Sequence, residues 1–132
     1  MDSLEALLAA ARAVQHQAHA PYSRFKVGAA LLDELGRVHS GCNVENSAYP
    51  QGLCAEAGAI AAMVAGGGTR IVVAVVVGEG VQPCMPCGGC RQKLREFARD
   101  DTPVVVADAH QVRGRFTLGE LLPHSFGPEH LT

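Results

Sequence analysis

Three cysteines and one glutamate are the residues of this chain best placed to do chemistry. They stand in Cys54-Ala55-Glu56 and in Pro86-Cys87-Gly88-Gly89-Cys90. Each segment follows a loop carrying Pro and Gly and reads as the opening of a helix. A helix N-terminus presents free backbone N–H groups and the positive end of the dipole, and both favour thiolate over thiol. Cys87 and Cys90 are three apart, so on a helix they share a face and can grip one ion. Three thiolates converging on one point need a cation to hold them there. Zinc with three protein ligands keeps a fourth position for water, whereas a structural site closes with four. The ion lowers the pKa of bound water to about 7. Glu56, beside the metal without ligating it, is then a general acid and base.

The elements that must position these groups follow from periodicity and punctuation. Residues 3–19 read as a helix, with Leu4, Leu7, Leu8, Ala11, Val14 and Ala18 at helical spacing, Ser3 as its N-cap and Pro21 beyond its end. Lys26–Leu32 and Arg37–Val44 read as a hairpin around Asp33-Glu34-Leu35-Gly36. Asn46–Leu53 is a loop. Cys54–Ala65 is apolar on all sides, as a buried helix is, and Gly66-Gly67-Gly68 ends it. Ile71–Val77 and Pro103–Ala107 are strands covered on both faces. Between them lie a loop over 78–86 and an inner helix over Gly88–Ala98. Arg113–Thr117 is a fifth strand at an edge, and Gly119–Leu122 a short helix. Strand–helix–strand units require parallel strands with helices on the sheet faces. The expected fold is therefore an α/β three-layer sandwich with a five-stranded mixed sheet, in a single domain spanning 1–132.

Composition excludes several classes. The 132 residues are 48% hydrophobic and 18% charged with a net charge of −2, which is globular rather than disordered. No Lys/Arg block could track phosphates, which argues against a nucleic-acid binder, and no apolar run approaches a membrane span of roughly 20 residues. Asp2 and Glu5 stand where the basic region of a signal peptide belongs, and Arg12 and His16 break the apolar stretch. A cytoplasmic location follows as an expectation. There thiols stay reduced, and the five cysteines read as ligands or nucleophiles rather than bridges.

The chain as a whole resembles the small, homotetrameric cytidine deaminases. Besides the two cysteine segments, the resemblance rests on Tyr22-Ser23-Arg24-Phe25-Lys26-Val27-Gly28-Ala29-Ala30-Leu31, on Gly41-Cys42-Asn43-Val44-Glu45-Asn46, and on Leu121-Leu122-Pro123-His124-Ser125-Phe126, in that order. It implies one Zn²⁺ per chain on Cys54, Cys87 and Cys90, with Glu56 shuttling protons in the hydrolytic deamination of a free pyrimidine nucleoside. It further implies that Asn43 and Glu45 hydrogen-bond the ribose 3′-hydroxyl, that Phe25 packs on the nucleoside, and that the Ala55 N–H contacts the pyrimidine carbonyl oxygen. Ser47, Tyr49 and Phe126 would complete a neighbouring subunit's site, Phe126 on the base. One departure stands out. Many relatives carry Arg after the catalytic Glu, where this chain has Ala57 followed by Gly58. Arg91 is the candidate to offset the negative charge of a zinc tris-thiolate.

Blander readings remain open at this level. A structural zinc site would recruit Cys84 or a histidine as fourth ligand and leave Glu56 as an ordinary helix N-terminal acid. Cys84, Cys87 and Cys90 also have iron–sulfur spacing, but position 94, where a fourth cysteine belongs, is Leu. Cys84 then reads as a spare loop cysteine, Cys42 as a small buried hydrophobe, and His16, His19, His39, His110, His124 and His130 as surface residues. Among enzymes, a deaminase of a blasticidin S-type nucleoside antibiotic shares much of the pattern.

Overall fold

The computed structural model describes residues 3–132. Helix α1 (Ser3–Gln15) leads into the antiparallel hairpin β1 (Gly28–Asp33) and β2 (Val38–Cys42). Then come α2 (Ala55–Ala65), β3 (Ile71–Val77), α3 (Gly88–Arg95), β4 (Pro103–Ala107), β5 (Val112–Thr117) and α4 (Leu118–Leu121). The sheet order is β2-β1-β3-β4-β5. Only β3 and β4 run parallel; β1 is antiparallel to β3, and β5 to β4. No helix among the described residues is long and apolar enough to cross a membrane.

Strand alternation builds two cores. Ala29 and Leu31 of β1, Ile71 and Ala74 of β3 and Val104 of β4 pack under α2, α3 and α4 with Ala55, Ala59, Met63 and Leu94. Their alternate neighbours, Ala30, Val75, Val77, Val105 and Ala107, meet Leu7 and Ala11 of α1 on the other face, Ile71 being out of phase with Val75 and Val77 because the β1–β3 register shifts at Leu32–Asp33. The three-layer α/β/α sandwich with a five-stranded mixed sheet is thus present, α1 alone on one face. At Gly41 the contact between β2 and α2 is closest: a Cβ there would stand 2.3 Å from the Ala59 nitrogen. Only glycine lets α2 lie this low on the sheet.

Several ends differ from the sequence expectation. The first helix stops at Gln15 rather than residue 19, because His19 is drawn into extended pairing with the chain after β2. Its N–H donates to the Asn43 carbonyl (3.0 Å), and its own carbonyl accepts from Glu45 N–H (2.8 Å). Ser3 lies inside the helix, and the residues before it are outside those described. The second strand ends at Cys42, since Val44 leaves the ladder to bridge His19 and Leu53. The third helix ends at Arg95; beyond it the Glu96 and Phe97 amides bond three residues back, a tightened last turn. His39 is not a free surface residue: its Nε2 lies 2.8 Å from the buried Asp33 carboxylate. Cys42 is half-buried rather than part of the core.

Candidate active site

The two chemical segments open the two inner helices. Cys54 is the N-cap residue of α2, and Cys87 that of α3, both in extended backbone conformation. Cys90 lies one turn into α3 and is fully buried. The packing of α2 and α3 on the same sheet face brings the three sulfurs within 4.8 Å of one another. Tetrahedral zinc with bonds of ~2.3 Å needs sulfurs about 3.8 Å apart, so a modest contraction closes the set. The chemistry of the donors points the same way. Burial pushes the Cys54 and Cys90 thiols up, and the Glu56 carboxylate adds to both shifts. The Cys90 backbone amide draws the Cys87 thiol down. Left alone, these sulfurs oppose joint ionisation; a divalent cation removes the opposition. Among the described residues no fourth cysteine and no histidine or carboxylate joins the set. Among the described residues the set thus offers three ligands, one fewer than a closed structural site uses.

Glu56, in the first turn of α2, is 5% exposed. Burial raises its carboxyl above the ordinary range, against the opposing pull of its own backbone amide, the Cys90 thiol and the Lys93 ammonium. Lys93 is thus the cation that acts on Glu56. Arg91, next to Cys90, is held by two backbone acceptors: its Nε donates to the Pro86 carbonyl (2.7 Å) and a terminal nitrogen to the Leu121 carbonyl (2.8 Å). It staples the cysteine loop to α4.

These groups face a cavity of about 290 Å³. Of the expected site residues, Phe25, Asn43, Cys54, Ala55, Glu56, Cys87 and Cys90 line it. Asn43 is anchored at both ends of its amide: Oδ1 accepts Val27 N–H (2.8 Å), and Nδ2 donates to the Phe25 carbonyl (2.9 Å). Glu45 is not among the lining residues, but it bonds Ser23, which is. It accepts the Tyr22 and Ser23 amides (2.9 and 3.1 Å) and the Ser23 hydroxyl, and the Ser23 bonds hold its carboxyl below the usual range. Ser47, Tyr49 and Phe126 lie outside the cavity, exposed. Tyr49 meets Tyr22 edge-on at 5.8 Å, and Phe126 stacks on His130 at 4.8 Å.

The cavity also has walls that sequence reasoning did not assign: Ser23, Val27, Cys84 and Met85. Ser23 had a local signal. Its hydroxyl accepts the Phe25 N–H (3.0 Å), the two-residue turn that serines favour. Cys84 is part of the wall rather than a spare loop residue, and burial pushes its thiol up to about 11. The spacing of Cys84 from Cys87 and Cys90 pointed only to an incomplete iron–sulfur run, and Met85 had no spacing rule to announce it.

Comparison with known proteins agrees with this geometry. Residues 1–107 match the model of the cytidine and deoxycytidylate deaminase zinc-binding region. A cytidine deaminase of Sporosarcina psychrophila is 40% identical over 129 residues, covering 98% of this chain and 95% of the relative. One from Mycobacterium tuberculosis H37Rv is 47% identical over 115 residues, 86% of this chain and 82% of its own. The crystal structure of cytidine deaminase from Burkholderia pseudomallei superposes with a TM-score of 0.86 at 42% identity, over 92% of this chain and 98% of the other. That from M. tuberculosis gives 0.81 at 38%, over 96% and 99%. With its zinc-binding region spanning all three clustered cysteines and its fold shared end to end with such structures, the chain belongs to the cytidine and deoxycytidylate deaminase family.

Proposed function

We propose that this chain deaminates free cytidine and deoxycytidine hydrolytically, yielding uridine or deoxyuridine and ammonia, in pyrimidine salvage. The observation that carries the reading is a buried Glu56 carboxyl sharing one cavity with three sulfurs set for a single metal ion. Cys54, Cys87 and Cys90 hold zinc, which when bound supplies the Lewis acidity that makes water nucleophilic near neutral pH. Glu56 does the proton work. It takes a proton from the attacking water as the oxygen bonds C4 of cytosine, and delivers it to N3. It then carries the second proton to the amino nitrogen as the C4–N bond breaks. Burial raises this carboxyl above the ordinary carboxylate range, which makes it a better proton acceptor than a free glutamate while leaving it able to give the proton back.

The remaining residues orient the nucleoside. Ala55 opens α2, so its N–H has no partner within the helix and can donate to the pyrimidine carbonyl oxygen. After its two backbone bonds, Asn43 retains one amide hydrogen and one lone pair for the ribose 3′-hydroxyl. Glu45 joins it there through its free lone pairs. Phe25 supplies a flat apolar wall. Ser47, Tyr49 and Phe126 act in a neighbouring subunit's site within a cytoplasmic homotetramer. Their exposure here, 75% for Tyr49 and 55% for Phe126, leaves them free to do so.

The test is turnover of cytidine, deoxycytidine and a blasticidin-type nucleoside by zinc-loaded protein, followed by ultraviolet absorbance, with Glu56→Gln alongside. Cytidine and deoxycytidine turn over, and the variant keeps one zinc per chain while losing roughly 10²- to 10⁴-fold in rate. A zinc-loaded variant of undiminished rate removes Glu56 from the reaction; turnover of the antibiotic alone replaces the substrate.

A further inference from the structure

The segment that carries Phe25 is tethered along its whole length, at four of its six positions by groups distant in sequence. From 22 to 27 every backbone N–H is donated. Tyr22 and Ser23 give to Glu45, Arg24 to the Ala20 carbonyl, Phe25 to Ser23 Oγ, and Val27 to Asn43 Oδ1. The remaining one, Lys26 N–H, donates to Glu79 Oε1 at 2.6 Å, across 53 positions of sequence. Nothing in the reaction described above uses Glu79. It stands just past the C-terminal end of β3, the buried strand between β1 and β4.

The residues flanking Glu79 complete the arrangement. A Cβ at Gly78 would stand 3.6 Å from Phe25 Cζ, and one at Gly80 3.7 Å from Phe25 Cε2. The ring therefore lies on bare backbone to either side of the carboxylate. Gly80 itself has φ of +93°, a conformation glycine adopts without strain. The Lys26 ammonium takes no part in this contact; it reaches the His16 carbonyl instead (3.3 Å). The bond is thus a backbone tether, not an ion pair between side chains.

We propose that Glu79 is a positioning residue for nucleoside binding. Its carboxylate, carried on the end of a rigid central strand, holds the Lys26 N–H and so sets where the Phe25 ring stands in the cavity wall. The same tether keeps the Phe25 carbonyl and Val27 N–H in register with Asn43. A loosened tether lets the wall retreat from the sugar and base without disturbing the sulfurs or Glu56. It therefore affects binding of the nucleoside more than its conversion. The inference rests on the cytidine reading for its kinetic arm, but not for its structural arm.

The experiment compares zinc-loaded wild type with Glu79→Ala, Glu79→Gln and Lys26→Ala. The structural arm is amide hydrogen exchange over residues 22–27. Exchange at Lys26 speeds up about tenfold in Glu79→Ala. It returns toward wild type in Glu79→Gln, whose amide oxygen still accepts, and is unchanged in Lys26→Ala, which keeps the N–H. The kinetic arm is a fivefold to tenfold rise of KM for cytidine in Glu79→Ala, on the order of the net contribution of one ordinary hydrogen bond, since the lost tether acts on binding only through Phe25. In that variant kcat stays within about twofold, with zinc content and Tm held; Glu79→Gln restores KM. Unaltered exchange and KM in Glu79→Ala overturns the proposal. So does a Glu79→Gln variant as impaired as the alanine, or a loss of zinc that accounts for the change. A wild type that leaves cytidine untouched defeats the substrate reading instead, and the exchange arm still decides the tether.

Discussion

Gly41→Ala tests whether the closeness of β2 and α2 is what places the metal set. The added Cβ would lie 2.3 Å from the Ala59 nitrogen, 2.6 Å from the Gly58 carbonyl carbon and 2.8 Å from the Ala55 carbonyl oxygen. All three are helix backbone, so no side chain can swing aside. Restoring ordinary contact at about 3.4 Å moves α2 outward by ~1.1 Å. Overpacking of this kind costs about 3 kcal/mol. A chain of 132 residues unfolds with an entropy near 280 cal/mol/K at ~2.1 per residue, so Tm falls by roughly 11 °C. The same displacement carries Cys54 and Glu56 away from α3, and metal sites tolerate only about 0.2 Å in ligand distance. Zinc should therefore be lost to a chromogenic chelator faster than from wild type, and turnover should fall with it. Gly89→Ala is the contrast. Nothing lies nearer its would-be Cβ than Lys93 Nζ at 4.0 Å. Replacing this helical glycine raises stability by ~0.5–1 kcal/mol. If Gly41→Ala melts within about 2 °C of wild type and holds zinc equally well, the inferred role of this contact is wrong.

Two further outcomes follow from the hydrogen bonds. Arg91→Ala removes two charge-assisted bonds to backbone carbonyls, those of Pro86 and Leu121. It should lower stability by about 2–3 kcal/mol and speed zinc release. Arg91→Lys should behave like the alanine if the staple matters and like wild type if only the charge does, as thermal melts with chelator competition will show. Acid should destabilise both sides of the sheet, at the β1–β2 turn and at the β4–β5 turn. Thr69 and the Arg70 amide hold Glu34 at about 2, and the His110 and Gln111 amides with Arg113 hold Asp108 at about 2. At Asp33, burial opposes the charge, but bonds from His39, Arg37 and Leu35 outweigh it and depress that carboxyl as well. A depressed carboxyl contributes stability that is complete above its unfolded pKa and lost as pH falls through the folded one. Melts between pH 6 and 2 should therefore steepen below about 4.5, and Glu34→Ala should flatten the slope. A slope identical in that variant would refute the assignment.

The cysteine cluster and the carboxylate beside it were legible without coordinates because their spacing is local. Two Cys residues one helical turn apart, and a Cys-x-Glu after a loop, announce their geometry through helix periodicity alone. The strands were legible for the same reason: runs of Ile and Val over 71–77 and 103–107 have no stable place except between two helical layers. What local pattern could not announce were pairings between segments far apart. The end of α1 at Gln15 is decided by His19 joining the chain after β2, a tertiary bond that overrides a helical repeat. His39 is recruited by a buried Asp33, while the other histidines share its residue type but not that partner.

The sequence by itself determined which atoms can hold zinc and move protons, and the order of elements that must carry them, because hydrophobic period and helix termini are properties of neighbours in the chain. Tertiary structure decided how the cavity around those atoms is shaped. Asn43 spends two of its amide groups' bonds on the Phe25–Val27 backbone, Glu45 buttresses Ser23, and Glu79 reaches Lys26 from the end of β3. Backbone N–H groups with no strand partner must be satisfied by whatever acceptor folding brings within reach, and that acceptor's identity is written in the packing of the sheet rather than in any local run of residues.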